Sequence, residues 1–171
     1  MKIIHYFLLA ILCFYTDSLL TFLSPIHIGN INLIFVPHLT LLMILLLTIL
    51  KNTNIALILS VFLGLLHDVY FGQIYGVYLF GYIIFTLSAD KFLKVFYRDN
   101  SMIYVSTLIL IALFEIFSVM IYAILGLIDF NLFHFLFYRM LPTLFLNAIL
   151  LLLIRLVMKV YKNKRHPIDM K

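Results

Sequence analysis

Residues 37–72 read PHLTLLMILLLTILKNTNIALILSVFLGLLHDVYFG. Two long apolar runs are separated by the four polar residues Lys51-Asn52-Thr53-Asn54. A break that short between runs that long describes a tight hairpin of two apolar helices. Pro37 suits the first turn of the first helix, where its missing N–H would have no partner anyway. The rest of the chain extends the pattern. Of 171 residues, 65% are hydrophobic and 11% charged, against about 25% charged in an ordinary soluble domain, and the mean hydropathy is +1.18. A soluble domain of about 150 residues still leaves roughly a third of its unfolded-chain surface in water, so a chain this apolar needs lipid as its solvent. This excludes a soluble enzyme, a nucleic-acid-binding domain and a disordered protein. Six spans of about 20 residues use about 120 residues, which leaves no room for an independent soluble domain.

Working outward from the hairpin, the apolar runs place spans at about 3–23, 35–50, 55–71, 74–89, 102–127 and 135–160. The expectation is an all-α fold, a polytopic six-helix transmembrane bundle forming a single integral membrane domain. Span one has no small-x-small cleavage site after it and reads as a retained helix rather than a signal peptide. Pro25 to Asn32 reads as a turn-rich loop. Leu127 to Tyr138, with Phe130, Phe133 and Phe137 at helical spacing, reads either as a short surface helix or as a loop entering span six.

The net charge of +5 reflects topology. With the N-terminus inside, the inner segments hold Lys2, Lys51, Lys91, Lys94, Arg98, Lys159, Lys162, Lys164, Arg165 and Lys171. The outer loops hold no basic residue; Arg139 and Arg155 lie near the two ends of span six. This is a strong positive-inside pattern. It implies a multi-pass protein of the cell membrane with both termini cytoplasmic. Cys13 is the single cysteine and reads as a small apolar packing residue.

The exceptions to this apolar pattern are the candidate site. A charge at bilayer depth costs about 2.5–3.5 kcal/mol on insertion scales, so each should have a partner. Asp17, Asp68 and Arg139 fall at similar outer depths. An Asp68–Arg139 or Asp17–Arg139 pair would either open a polar site to the outer face or pin two helices together. Glu115 and Asn147 lie midway along spans five and six. There a protonated Glu115 could donate to Asn147, as a clasp worth about 0.6–2 kcal/mol or as part of a proton relay, for which no second titratable group is evident. The histidines near span ends, His38 among them, read as interfacial residues, and no metal site is expected. Catalytic signatures such as H-E-x-x-H, G-x-S-x-G and the P-loop are absent, and no cofactor is implied. Tyr and Phe, without any Trp, read as an interfacial aromatic belt.

Three stretches carry a family resemblance: Pro37-His38-Leu39; G-L-L-H-D-V-Y-F-G-Q-I-Y-G from Gly64 to Gly76; and L-P-T-L-F-L-N-A-I-L-L from Leu141 to Leu151. Together they resemble the rod shape-determining MreD family, whose Gly-Leu-x-x-Asp…Gly…Leu-Gly signature is similar to the middle stretch. Its Pro-Thr-x-x-x-Asn segment is similar to the third. His38 departs from the family pattern, in which an acidic residue typically follows the proline. Gly64 and Asp68 share a helix face, Gly64 permits close helix approach, and Gly72 and Gly76 permit a tight turn. Pro142 should bend span six.

The resemblance implies a non-enzymatic scaffold in the cell-wall elongation machinery that maintains rod shape. It implies MreC as first partner, with RodA, a class B penicillin-binding protein and MreB in the same assembly. It also implies a six-helix arrangement similar to the substrate-binding components of energy-coupling-factor transporters, and hence an alternative as a vitamin-uptake subunit. That alternative lacks the expected Ala-x-x-x-Ala patch in span one, where Ala10 is the only alanine.

Overall fold

The computed structural model describes residues 3–28, 31–72, 74–93 and 100–165. The central part of the basic segment expected around 90–100 and the tail after 165 lie outside the described residues, as does Lys2. The elements are α1 (Ile3–Phe22), β1 (Ile26–Ile28), β2 (Ile31–Leu33), α2 (Leu39–Leu50), α3 (Thr53–Tyr70) and α4 (Val77–Ser88), which runs into a π-helical turn (Ala89–Leu93). Then follow α5 (Asn100–Ile124), the single turn α6 (Leu132–Phe135), a second π turn (Leu136–Met140) and α7 (Leu141–Arg165). Because α6, the π turn and α7 are continuous, the described residues form six helical rods. Those of α1, α3, α5 and α6–α7 are long and apolar enough to cross a membrane.

The centre is α2. Its residues 40–49 are all buried, and it touches α1, α3, α4, α5 and α7. Twelve residues rise only about 18 Å, against a hydrocarbon core of about 30 Å. An extended segment, residues 34–38, leads into α2 from the short antiparallel hairpin β1–β2. The helix was expected to start near Pro37 and in fact starts at Leu39. Proline pushes the residue before it, Val36, towards extended backbone, so the helix cannot continue upstream. Pro37 and His38 are buried and residues 34–36 half-buried, the cover that extended backbone needs in a lipid-embedded bundle. The hairpin itself occupies the region read as a turn-rich loop.

The Lys51-Asn52-Thr53-Asn54 turn joins α2 to α3, with the Asn52 side chain accepting from Asn54 N–H at 2.9 Å. α3 and α4 form the most intimate helix pair, and Gly64 is the reason. A Cβ at this position would lie 2.7 Å from Leu79 Cα, so the pair can approach this closely only without a side chain there. Gly64→Ala is expected to push α4 away and destabilise the bundle by about 1–3 kcal/mol, read as a shift in its denaturation midpoint in detergent. An unchanged midpoint would mean that the α3–α4 contact relaxes freely. Gly76, at the start of α4, has φ +106°, a conformation that favours glycine.

Candidate functional site

Each helix that begins inside the bundle needs acceptors for its first N–H groups, which have no partner within the helix. For α2 the N-cap residue is His38, whose side chain makes no capping bond. Asp17 of α1 supplies one from outside, accepting from Leu39 N–H at 2.8 Å and Thr40 N–H at 2.7 Å. For α4 the N-cap is Gly76, which has no side chain. Here Asp68 of α3 accepts from Gly76 N–H at 2.9 Å, Tyr78 N–H at 2.9 Å and Leu79 N–H at 3.0 Å. Both acids are buried, and each places negative charge at the positive end of a helix dipole. These caps correct the expected ion pairs: neither Asp17 nor Asp68 meets Arg139.

Arg139 reaches Glu115 instead. Its Nε donates to Glu115 Oε2 at 3.0 Å, and His38 Nε2 lies 2.7 Å from Glu115 Oε1. The Glu115 side chain is 2% exposed, and that of Arg139 is 31% exposed. The charge cluster is therefore closed at its acid and reaches the surface through its arginine. The expected Glu115–Asn147 bond is also corrected. Both residues bind His38, the acid through the ring and Asn147 through the backbone, its Oδ1 accepting from His38 N–H at 2.8 Å. His38 is thus a buried residue at the heart of the site and not an interfacial one. It is also a second titratable group beside Glu115, where the sequence alone shows none.

Asn147 belongs to a second device that accounts for the P-T-x-x-x-N stretch. Its Nδ2 donates to Val36 O at 2.9 Å and to Thr143 O at 2.8 Å. Thr143 Oγ1 accepts from Val36 N–H at 3.1 Å. Pro142 has no N–H to give to the Tyr138 carbonyl one turn back, and that carbonyl accepts from Ile34 N–H at 2.8 Å. Tyr138, Thr143 and Asn147 thus pair, in order, with alternate residues Ile34, Val36 and His38. One face of the last rod acts as a neighbouring strand for the extended segment. The missing N–H of Pro142 and the side chains of Thr143 and Asn147 together satisfy backbone that would otherwise be costly at this depth.

Around the cluster lies an aromatic wall. Phe114, fully buried, contacts the rings of His38, Tyr78, Tyr82 and Phe85 at centroid distances of 5.4 to 5.9 Å. His67 is likewise buried rather than interfacial. Its Nδ1 lies 3.0 Å from Leu63 O, and its ring packs against Phe14, Phe71, Tyr78 and Tyr82. His5, His27 and His134 are exposed. Among the described residues no three His, Cys, Asp or Glu side chains come together in a way that could hold a metal ion.

Of the sequence candidates, Asp17, Glu115, Arg139, Pro142 and Asn147 therefore gather around the start of α2, while Gly64, Asp68, Gly72 and Gly76 build the α3–α4 hairpin. His38 and Thr143 join the first group, and sequence reasoning had given them no role there. The signal for His38 was its departure from the acidic residue expected after Pro37. An acid at that position would face Glu115 at hydrogen-bonding distance, whereas His38 can bind it.

Residues 1–165 match the family described as rod shape-determining protein MreD. No curated protein and no solved structure matches the chain.

Proposed function

The chain belongs to the rod shape-determining protein MreD family, and from that membership we propose that it is a non-enzymatic membrane scaffold of the bacterial cell-wall elongation machinery. In this reading it maintains rod shape by binding partner helices. The single observation that supports a scaffold best is the use to which the buried polar groups are put. Asp17 and Asp68 cap helices, Glu115 is shared between His38 and Arg139, and Asn147 binds backbone. These groups set the geometry of the bundle, Asp17, Asp68 and Asn147 through backbone groups and Glu115 through the side chains of His38 and Arg139. The Glu115 cluster reaches the surface through Arg139.

The bundle would cross the membrane six times, with both termini and the Lys51 turn on the cytoplasmic side, as the distribution of lysine and arginine favours. A transmembrane helix of MreC is the first candidate partner, with RodA, the class B penicillin-binding protein and MreB in the same assembly. The exposed apolar faces of the long helices offer the contact surface, and the partly exposed Arg139 offers one polar point at which a partner could be read. No observation favours the vitamin-uptake alternative.

Depletion of the protein in its source bacterium tests the proposal. Rods are expected to become round over a few generations and to recover when the intact gene is restored. Cells that keep their rod shape would overturn it. A reporter fused after Lys171 is expected to be active only as a cytoplasmic fusion, which checks the orientation separately.

A further inference from the structure

A groove of about 500 Å³ runs along α2 between α1 and α7. Its floor includes Met43 and Leu47 of α2, and its walls include Leu12 of α1 and Leu153 of α7. Leu12 and Leu153 are more than half exposed, so the groove opens sideways, towards whatever surrounds the bundle. Its two ends differ. At one end lies Lys51, an exposed cation directly after the last turn of α2. At the other lies Thr16, level with the start of α2, whose hydroxyl already donates to Leu12 O at 2.8 Å. The groove is therefore apolar along its length, and among the described residues that line it Lys51, at one mouth, is the one that carries a charge.

We infer that this groove holds one acyl chain of an anionic phospholipid, with the lipid phosphate at Lys51. Two features select this occupant over a protein helix. The first is length. From Leu39 to Lys51 the groove runs about 18 Å, close to half of a bilayer whose hydrocarbon core is about 30 Å thick. This is the reach of a chain from one leaflet, whereas a spanning helix would continue well past the end of α2. The second is charge. A cation at the polar end of an otherwise apolar slot complements an amphiphile whose only charged group is an anion at one end. The inference requires only that the bundle lies in a bilayer. It is independent of which partner the scaffold binds and of cell shape.

The chain has no tryptophan, so one introduced tryptophan reports without background. Leu153→Trp places it in the groove wall, and Ile58→Trp places it at a similar depth on α3, away from the groove, where Ile58 is exposed. Each variant is reconstituted in vesicles of phosphatidylcholine with either brominated phosphatidylglycerol or brominated phosphatidylcholine, and quenching is measured. In the Leu153→Trp protein, phosphatidylglycerol is expected to associate about fivefold more strongly than phosphatidylcholine at low salt, which is the about 1 kcal/mol that one lysine contributes beside anionic lipid. Adding Lys51→Gln should bring the ratio to about one, and adding Lys51→Arg should restore it. The Ile58→Trp protein should show no preference. Equal quenching by the two lipids in the Leu153→Trp protein overturns the inference. So does a preference that survives Lys51→Gln or appears equally at Ile58→Trp, which would indicate only a diffuse attraction to the basic protein. A Leu153→Trp signal that neither lipid quenches also overturns it, because the groove would then be filled by protein.

Discussion

Asp68→Ala is expected to cost the bundle at least about 4 kcal/mol of stability. Three N–H groups at the start of α4 converge on this one side chain, and hydrogen bonds to a charged group contribute about 1.5–3 kcal/mol each. Polar contacts between membrane helices average only about 0.6 kcal/mol, because helices separated within the bilayer find other partners. That discount applies weakly here: alanine removes the acceptor and leaves three part-buried donors without it. Asp68→Asn keeps one acceptor oxygen and should fall between the two. Unfolding in mixed detergent micelles with increasing SDS measures both. If Asp68→Ala unfolds like the parent but the cells still lose their rod shape, Asp68 acts on a partner and the capping role is secondary.

Glu115→Ala is expected to cost about 3–5 kcal/mol, the range for removing one member of a buried ion pair. Two groups lose their partner together, since His38 and Arg139 bind the two different oxygens of the same carboxylate. The two losses should differ in kind. Arg139 is partly exposed and can turn outward, while His38 is fixed by its backbone bond to Asn147. Most of the penalty should therefore arise at His38. A double-mutant cycle separates the two: coupling of Glu115 to His38 should exceed its coupling to Arg139. Equal couplings, or a Glu115→Ala protein within about 1 kcal/mol of the parent, would mean that the cluster does not hold the bundle together.

Some of the site could be read in the chain, and the limit falls at identifiable residues. That Asp17, Asp68, Glu115, Arg139 and Asn147 needed partners followed from the cost of a polar group in lipid. Which partner each found did not follow. The proposed pairs joined side chains of similar depth to each other, whereas two of the acids pair with backbone N–H groups. Those groups are available only because α2 and α4 start within the bundle, at Leu39 and Val77. Hydropathy marks apolar residues and does not reveal that 34–38 is extended, so the donors that capture Asp17 and Asn147 could not be counted. His38 was misplaced for the same reason: a residue assigned to a span end becomes central when the helix that follows is short and buried.

The sequence by itself determined the solvent, the helical character, the hairpin turn at 51–54, the family, and which charged residues within the apolar runs needed partners. Composition and periodicity are sums over many residues, and they survive any local rearrangement. Only the tertiary structure decided that α2 is the buried axis, that the P-T-x-x-x-N face serves as a strand for the segment before it, and that Glu115 answers to His38 and Arg139. Each of those depends on which unpaired backbone groups come within hydrogen-bonding reach of which side chain. That is a property of contacts between residues up to 111 positions apart, and no local pattern encodes it.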